Sequence, residues 1–421
     1  MLLLQGPRGL FFSRFGRYLR REGITVYKIN FNGGDTFFYP WPDALSFRGS
    51  REDWEVFLED FVDSRQIDCI YLFGDCRFYH QTAIKVANRQ GIAVFVFEEG
   101  YIRPDYITLE KFGVNGHSQI PCNRSSYECL SEPVMEKPLP ARNSFFRMAF
   151  SAVMYHLAEL LMRWHYRHYQ YHKEFSFLKE PLLWVRSGIR KVMYRIKERH
   201  IEKDLIGRLR KRYFFVPLQV FNDAQISFHS KYTSVEQFIA ETIQSFAEYA
   251  GDDHFLIVKH HPMDRGHKDY AAWMLGVAKK FGVHERVIYI HDLHLPTLLK
   301  NALGVVVINS TVGLSSLHHG TPLKVMGTAI YDLPGLTYQT DLAAFWRNPG
   351  KVNKEIYKRF RGYIVEHTQL NGGYYGMFPF DLKKPVTQLQ EVLLYDTAKK
   401  GMEHDPAHHG ENEAAVMSRV K

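Results

Sequence analysis

The chain has 421 residues, 45% of them hydrophobic and 15% aromatic, too many for one ordinary core and comfortable for two domains. No apolar run is long enough to cross a bilayer, and the opening MLLLQGPRGL is too short, and lacks the basic start, to be a signal peptide; a cytoplasmic protein is expected. The net charge of +9 is unevenly placed: Arg142 to Arg212 holds seventeen Lys or Arg against six Asp or Glu, and the rest of the chain is net −2.

Leu2 to Gly6 reads as a strand, and FFSRFGRYLRREG as a helix closed by Gly23. Thr25 to Phe31 is a second strand. A helix through REDWEVFLEDFVDSR leads to a third, Cys69 to Gly74, and one around HQTAIKVANRQG to a fourth, Ala93 to Gly100. Apolar strands separated by helices predict a parallel sheet covered on both faces. From Ser144 to about Arg212 the pattern turns long, helical and basic. A second alternating series follows, with strands at Tyr213 to Val220, His254 to Pro262, Arg286 to Asp292 and Gly304 to Ser310. The expectation is an α/β protein of GT-B type. Two Rossmann-like domains, 1–140 and 213–397, would face a central cleft, joined by a basic aromatic helical linker, 141–212. A polar tail, 398–421, is expected to be disordered.

The linker admits two readings. One is a solvated helical face. The other is contact with an anionic membrane surface, which interleaved aromatics suit and where each basic residue is worth about 1 kcal/mol. No recognised nucleic-acid motif accompanies the charge, so nucleic acid is not an expected partner.

Ligands of α/β sheets bind beyond the carboxyl ends of strands, which directs attention to the residues there. Gly6-Pro7-Arg8-Gly9 lacks the full GxGxxG pattern. It is a tight turn or, with Asn32-Gly33-Gly34-Asp35, an acceptor-facing loop. Asp75, after the third strand, caps the next helix or lines the acceptor side. Glu98 and Glu99 end the fourth strand. A general acid or base needs a partly buried carboxyl, and successive residues point opposite ways, so only one faces the cleft; the alternative is a salt bridge to Arg103. Asp223, just past Gln219 at the end of the first strand of the second series, is a cleft carboxylate or a cap. In Lys259-His260-His261-Pro262 the proline fixes the direction of His261, which reads as a phosphate contact before a core histidine or a metal ligand. No nearby carboxylate or Cys completes a ligand set there. Ser310, Thr311 and Gly313 lie between a strand and a helix, as an anion site or an ordinary cap. Cys69, Cys76, Cys122 and Cys129 form no CxxC pair, so neither zinc nor a disulfide is expected.

Taken together, LLLQGP, FNGGD, FGDCR, FEEGYIRP, LQVFNDAQI, KHHPMDRGH, INSTVG and PLKVMG resemble the KpsS (LipB) capsule proteins, in the same order from Leu2 to about Gly376. The resemblance implies a retaining β-Kdo transferase that takes Kdo, an acidic eight-carbon sugar, from CMP-Kdo. It would place the first residue of a poly-Kdo linker on a (lyso)phosphatidylglycerol lipid at the inner face of the cytoplasmic membrane. The partners it implies are a second Kdo transferase that extends the linker and the capsule ABC-export complex. Carried over residue by residue, it makes Asp223 the nucleophile, Glu98 the acid/base and His261 the His of a His-Pro pair. Ser310 to Gly313 become the donor turn, with Lys259 and Gln219 beside it. Glu99, Arg103, Asp75 and Asn32 remain candidates for the acceptor side. With one phosphate in the donor, no metal or other cofactor is expected. The competing expectation is a non-catalytic export or scaffold component that holds lipid-linked glycan.

Overall fold

The computed structural model describes residues 1–133, 137–170 and 180–381. The expected tail 398–421, the last part of the expected second domain and residues 171–179 of the basic segment lie outside them. Among the described residues, strands β1 (Leu2–Leu3), β2 (Tyr27–Asn30), β3 (Ala44–Ser46), β4 (Cys69–Phe73), β5 (Ala93–Glu99) and β6 (Tyr106–Lys111) belong to a first sheet. Strands β7 (Tyr213–Pro217), β8 (Phe255–Lys259), β9 (Val287–Ile290), β10 (Gly304–Val307) and β11 (Leu323–Val325) form a second, and β12 (Gln369–Asn371) returns to the first. The orders are β12-β6-β5-β4-β1-β2-β3 and β11-β10-β7-β8-β9. Every pairing of the second sheet is parallel, and in the first only β6 runs against the others, antiparallel to β5 on one side and β12 on the other. Both sheets therefore share one doubly wound plan, the first strand of each inside the sheet and the order reversing beside it. The expected GT-B-like class of two parallel-dominated α/β units holds.

Alternation along the strands builds a core on each face. In the first sheet Leu3, Tyr71, Phe95 and Phe97 pack with Phe11, Phe12 and Phe15 of the helix Phe11–Arg21. Leu2, Leu4, Ile70, Leu72, Val94 and Val96 face the other way, onto Trp54, Leu58 and Val62 of the helix Trp54–Ser64. In the second sheet Phe215 and Ile257 face one side, and Phe214, Val216, Leu256 and Val258 the other. Trp54 and Trp346 are fully buried; truncating either to Ala costs roughly 3–5 kcal/mol.

The expected boundaries need correction at two places. Ile120 and Tyr127, assigned to 1–140, pack in the core of the second sheet, with the Tyr127 ring 5.3 Å from Phe360. Conversely, the helix Lys354–Thr368 ends in β12, which pairs Gln369 with Thr108, and Tyr374, Phe378 and Phe380 fill the core of the first sheet. The reason is edge protection: β6 would otherwise leave an open strand edge, and the returning chain covers it. The basic segment is helical as expected, over Phe145–Leu161, Glu180–Lys197 and Arg199–Ile206.

Candidate active site

The strand order reverses between β1 and β4 and between β7 and β10, the places where doubly wound sheets bind ligands. At the second reversal, Asp223 caps the short helix Ala224–Phe228. Its carboxylate accepts the Gln225 amide at 3.0 Å and the Gln219 side-chain amide at 3.5 Å. Gln219 also donates to the Asn309 side chain at 2.9 Å, which ties the end of β7 to the end of β10. Of the two readings of Asp223, the cap is what the structure shows; β7 itself ends at Pro217, earlier than the expected Val220.

Glu98, the penultimate residue of β5, is half-buried, while Glu99 at its end is exposed. Burial pushes the Glu98 carboxyl up to about 7, against the amide of Glu99, which it accepts at 2.9 Å and which holds it down. The hydroxyl of Tyr374 anchors the Glu98 carbonyl at 2.7 Å. Glu98 from the first unit and Asp223 from the second both act on one thiol, Cys76. Burial first, then the charges of Asp75, Glu98 and Asp223, drive its pKa up.

His261 begins the turn Pro262–Asp264 and accepts the Met263 amide on Nδ1 at 3.2 Å, so its neutral ring carries the proton on Nε2. Burial, then the charge of Lys259, lowers its pKa to about 4, with Arg103 acting in the same direction from the other unit. His260 is a core histidine, bonded to the Tyr289 hydroxyl. Lys259 is not free to meet a donor phosphate as expected: its ammonium is buried and donates to the His291 carbonyl at 2.8 Å. In the Ser310–Gly313 turn, Ser310 takes the Val312 amide on its hydroxyl and the Gly313 amide on its carbonyl, so part of the expected anion cradle is satisfied internally. Thr311 sits at the cap of the helix Val312–His318 without a side-chain cap bond.

The expected acceptor loop around Asn32 is a structural joint instead. Asn32 is 1% exposed; it caps the helix Gly33–Phe38 and donates to the Tyr155 hydroxyl at 2.9 Å. That hydroxyl donates to Asp35 at 2.8 Å. A Cβ on Gly33 would lie 2.1 Å from the Ala158 carbonyl, and one on Gly34 2.6 Å from the Tyr155 ring. The two glycines let the helix Phe145–Leu161 seat directly on this loop. Arg103 is exposed and donates to the Gly100 carbonyl at 3.2 Å; among the described residues it forms no ion pair with Glu98 or Glu99.

Asp75 caps no helix. It is 2% exposed and accepts the Val114 amide at 3.1 Å, His117 Nδ1 at 3.0 Å and the Cys76 thiol at 3.3 Å. Cys76 in turn stands 3.7 Å from His229 Nε2. Sequence reading missed His117 and His229, which lie 42 and 153 residues from their partners. The one local signal is Gly116, where a Cβ would lie 2.3 Å from the His229 ring.

The basic helices carry an exposed apolar face. On Glu180–Lys197, Leu182, Val185, Ile189, Val192, Met193 and Ile196 are exposed at helical spacing, Leu182 by 72%. Phe146, 83% exposed, Phe150 and Leu161 do the same on Phe145–Leu161. Among the described residues no helix is long and apolar enough to cross a membrane.

Comparison with known proteins gives a consistent picture. The family model described as capsule polysaccharide biosynthesis protein matches residues 68–375. The capsule polysaccharide export protein KpsS of Escherichia coli is 40% identical over 378 residues, 89% of this chain and 96% of that one. The capsule polysaccharide modification protein LipB of Neisseria meningitidis serogroup B is 39% identical over 400 residues, 93% and 96% of the two chains. Among solved structures, KpsC of Thermosulfurimonas dismutans, a beta Kdo 2,7 transferase, aligns over 87% of this chain and 91% of its own at 16% identity and a TM-score of 0.42.

Proposed function

Because this chain belongs to the family of capsule polysaccharide biosynthesis proteins, alongside KpsS and LipB, we propose that it is the retaining β-Kdo transferase that starts the poly-Kdo linker of a capsule. It moves one Kdo from CMP-Kdo to a (lyso)phosphatidylglycerol lipid at the inner face of the cytoplasmic membrane. The observation that carries this reading is the pair of carboxylates, one from each unit: Asp223 beyond β7 and Glu98 near the end of β5, both bearing on Cys76.

The chemistry balances in two displacements. An Asp223 oxygen bonds to the anomeric carbon as the bond from that carbon to the CMP phosphate oxygen breaks, and CMP leaves with the electron pair. The acceptor hydroxyl then attacks the same carbon, Glu98 takes its proton, and the Asp223 carboxylate departs. Two inversions give net retention. Glu98 near 7 is matched to a base working at neutral pH. The Nε2–H of neutral His261 stabilises the departing phosphate, and a single phosphate leaves no pyrophosphate for a metal to neutralise. The apolar faces of the basic helices hold the protein at the membrane where its lipid acceptor lies. A second Kdo transferase and the capsule export complex then receive the product.

The test is to incubate the protein with CMP-Kdo and labelled lysophosphatidylglycerol and look for a lipid heavier by one Kdo. Asp223→Ala abolishes transfer and keeps CMP binding. Glu98→Gln slows the second displacement, so intact-protein mass spectrometry finds a Kdo adduct that peptide mapping places on Asp223. An adduct elsewhere, or near-normal turnover by Asp223→Ala, removes the assignment. CMP binding without transfer in the parent protein would leave the scaffold role as the better reading.

A further inference from the structure

We propose that Asp75, Cys76, His117 and His229 form a binding site for one divalent transition metal of zinc type, joining the two units across the cleft. One ligand atom from each of the four residues lies within 4.8 Å of all the others. His117 Nδ1 lies 3.0 Å from Asp75 Oδ2, the Cys76 sulfur 3.3 Å from Asp75 Oδ1, and His229 Nε2 3.7 Å from the Cys76 sulfur. Tetrahedral zinc, with bonds of about 2.0 Å to N or O and about 2.3 Å to S, sets its ligand atoms roughly 3.2–3.7 Å apart. With all four ligand atoms within 4.8 Å of one another, closing to that geometry takes shifts of about 1 Å or less. Thiolate, two imidazoles and a carboxylate are a zinc ligand set; calcium and magnesium demand oxygen.

Three of the four ligands are held from behind. The Val114 amide donates to Asp75, and the turn Asn115–His117 is fixed by the Asn115 amide on the Tyr101 hydroxyl at 2.7 Å. That hydroxyl donates to Glu110 at 2.6 Å. The His229 carbonyl accepts the Thr328 amide at 2.7 Å. Glu98 and Asp223 also bear on Cys76, and their negative field favours a dication there. The ligands divide three to one: Asp75, Cys76 and His117 come from the first sheet's loops, and His229 ends the helix that Asp223 begins. A metal here fixes that helix to the opposite unit. On binding, the Cys76 thiol releases its proton to solvent and the sulfur pair enters the metal bond; no redox change is involved.

The test uses the full chain and does not depend on any transfer activity. The purified protein is stripped with a chelator, dialysed and titrated with zinc or cobalt(II), and bound metal is counted by mass spectrometry. One equivalent per chain is expected, and cobalt should give tetrahedral d–d bands with a thiolate-to-cobalt charge-transfer band. Cys76→Ser removes that charge-transfer band. His117→Ala, half-exposed on a turn, weakens cobalt binding at least tenfold while leaving the melting temperature of the stripped protein unchanged. No stoichiometric metal, or a cobalt spectrum and affinity unaltered in both variants, overturns the proposal.

Discussion

At the scale of single residues, the environment of Glu98 makes two linked predictions. Its folded pKa, about 7, is above the ordinary carboxyl value of 4.5. The folded chain therefore holds a proton that the unfolded chain gives up, and stability falls as pH rises from about 4.5 to about 7. Glu98→Gln should remove that loss. At pH 8 its unfolding free energy should exceed the parent's by on the order of 1 kcal/mol, and at pH 4 the two should match, with Glu110, also near 7, common to both. The parent's kcat/KM should rise through about pH 7, and the variant should lose that limb together with most of its turnover. His261 behaves differently. With its pKa lowered to about 4 it stays neutral from pH 5 upward, so it adds no titration limb. His261→Ala should lower kcat roughly 10²-fold at every pH, as for loss of one donor to a developing anion, with an unchanged circular dichroism spectrum. What was legible here follows from position. The apolar runs place Glu98 near the end of β5 and Asp223 in the loop beyond β7. Asn32 and Lys259 stand in equivalent places but turn inward to a tyrosine hydroxyl and a carbonyl, and nothing in the chain's pattern distinguishes the two outcomes.

At the scale of elements, the basic segment divides its labour. The helix Glu180–Lys197 spends Arg186 and Arg190 on the carbonyls of Gly266 and Arg265, and Tyr194 stacks on His291 at 3.5 Å. Glu198 accepts the amides of His291 and Asp292. These contacts hold the helix beside the His261 turn and leave Lys191, Arg195 and the apolar stripe exposed. Binding to phosphatidylglycerol vesicles should weaken with salt, because exposed charges are screened over about 8 Å at physiological ionic strength. Lys191→Glu with Arg195→Glu should weaken it at low salt, and Val185→Asp with Ile189→Asp at all salt concentrations, measured by vesicle sedimentation. Equal binding to neutral and anionic vesicles would refute an electrostatic share. The charge and aromatic content of this segment were visible in the sequence. The seat of the helix Phe145–Leu161 was not, because Gly33 and Gly34 look like any loop glycines until Tyr155, more than a hundred residues on, lies against them.

At the scale of the whole molecule, two doubly wound sheets were readable because alternating apolar strands and helices leave few other arrangements. The exchange of segments was not: β12 is three residues long, and the run containing Tyr127 carries no pattern that says which core it serves. That exchange means the two units cannot be separated by a single cut. If a protease site is inserted after Gln170 and cleaved, the downstream fragment still supplies β12 to the upstream fragment's sheet, and Ile120 and Tyr127 of the upstream fragment still sit in the downstream core. The nicked protein should elute at its original volume in size exclusion, and coexpressed fragments 1–170 and 171–421 should reassemble, whereas 1–170 alone should precipitate. The gene for such a protein could be split in two without losing its product.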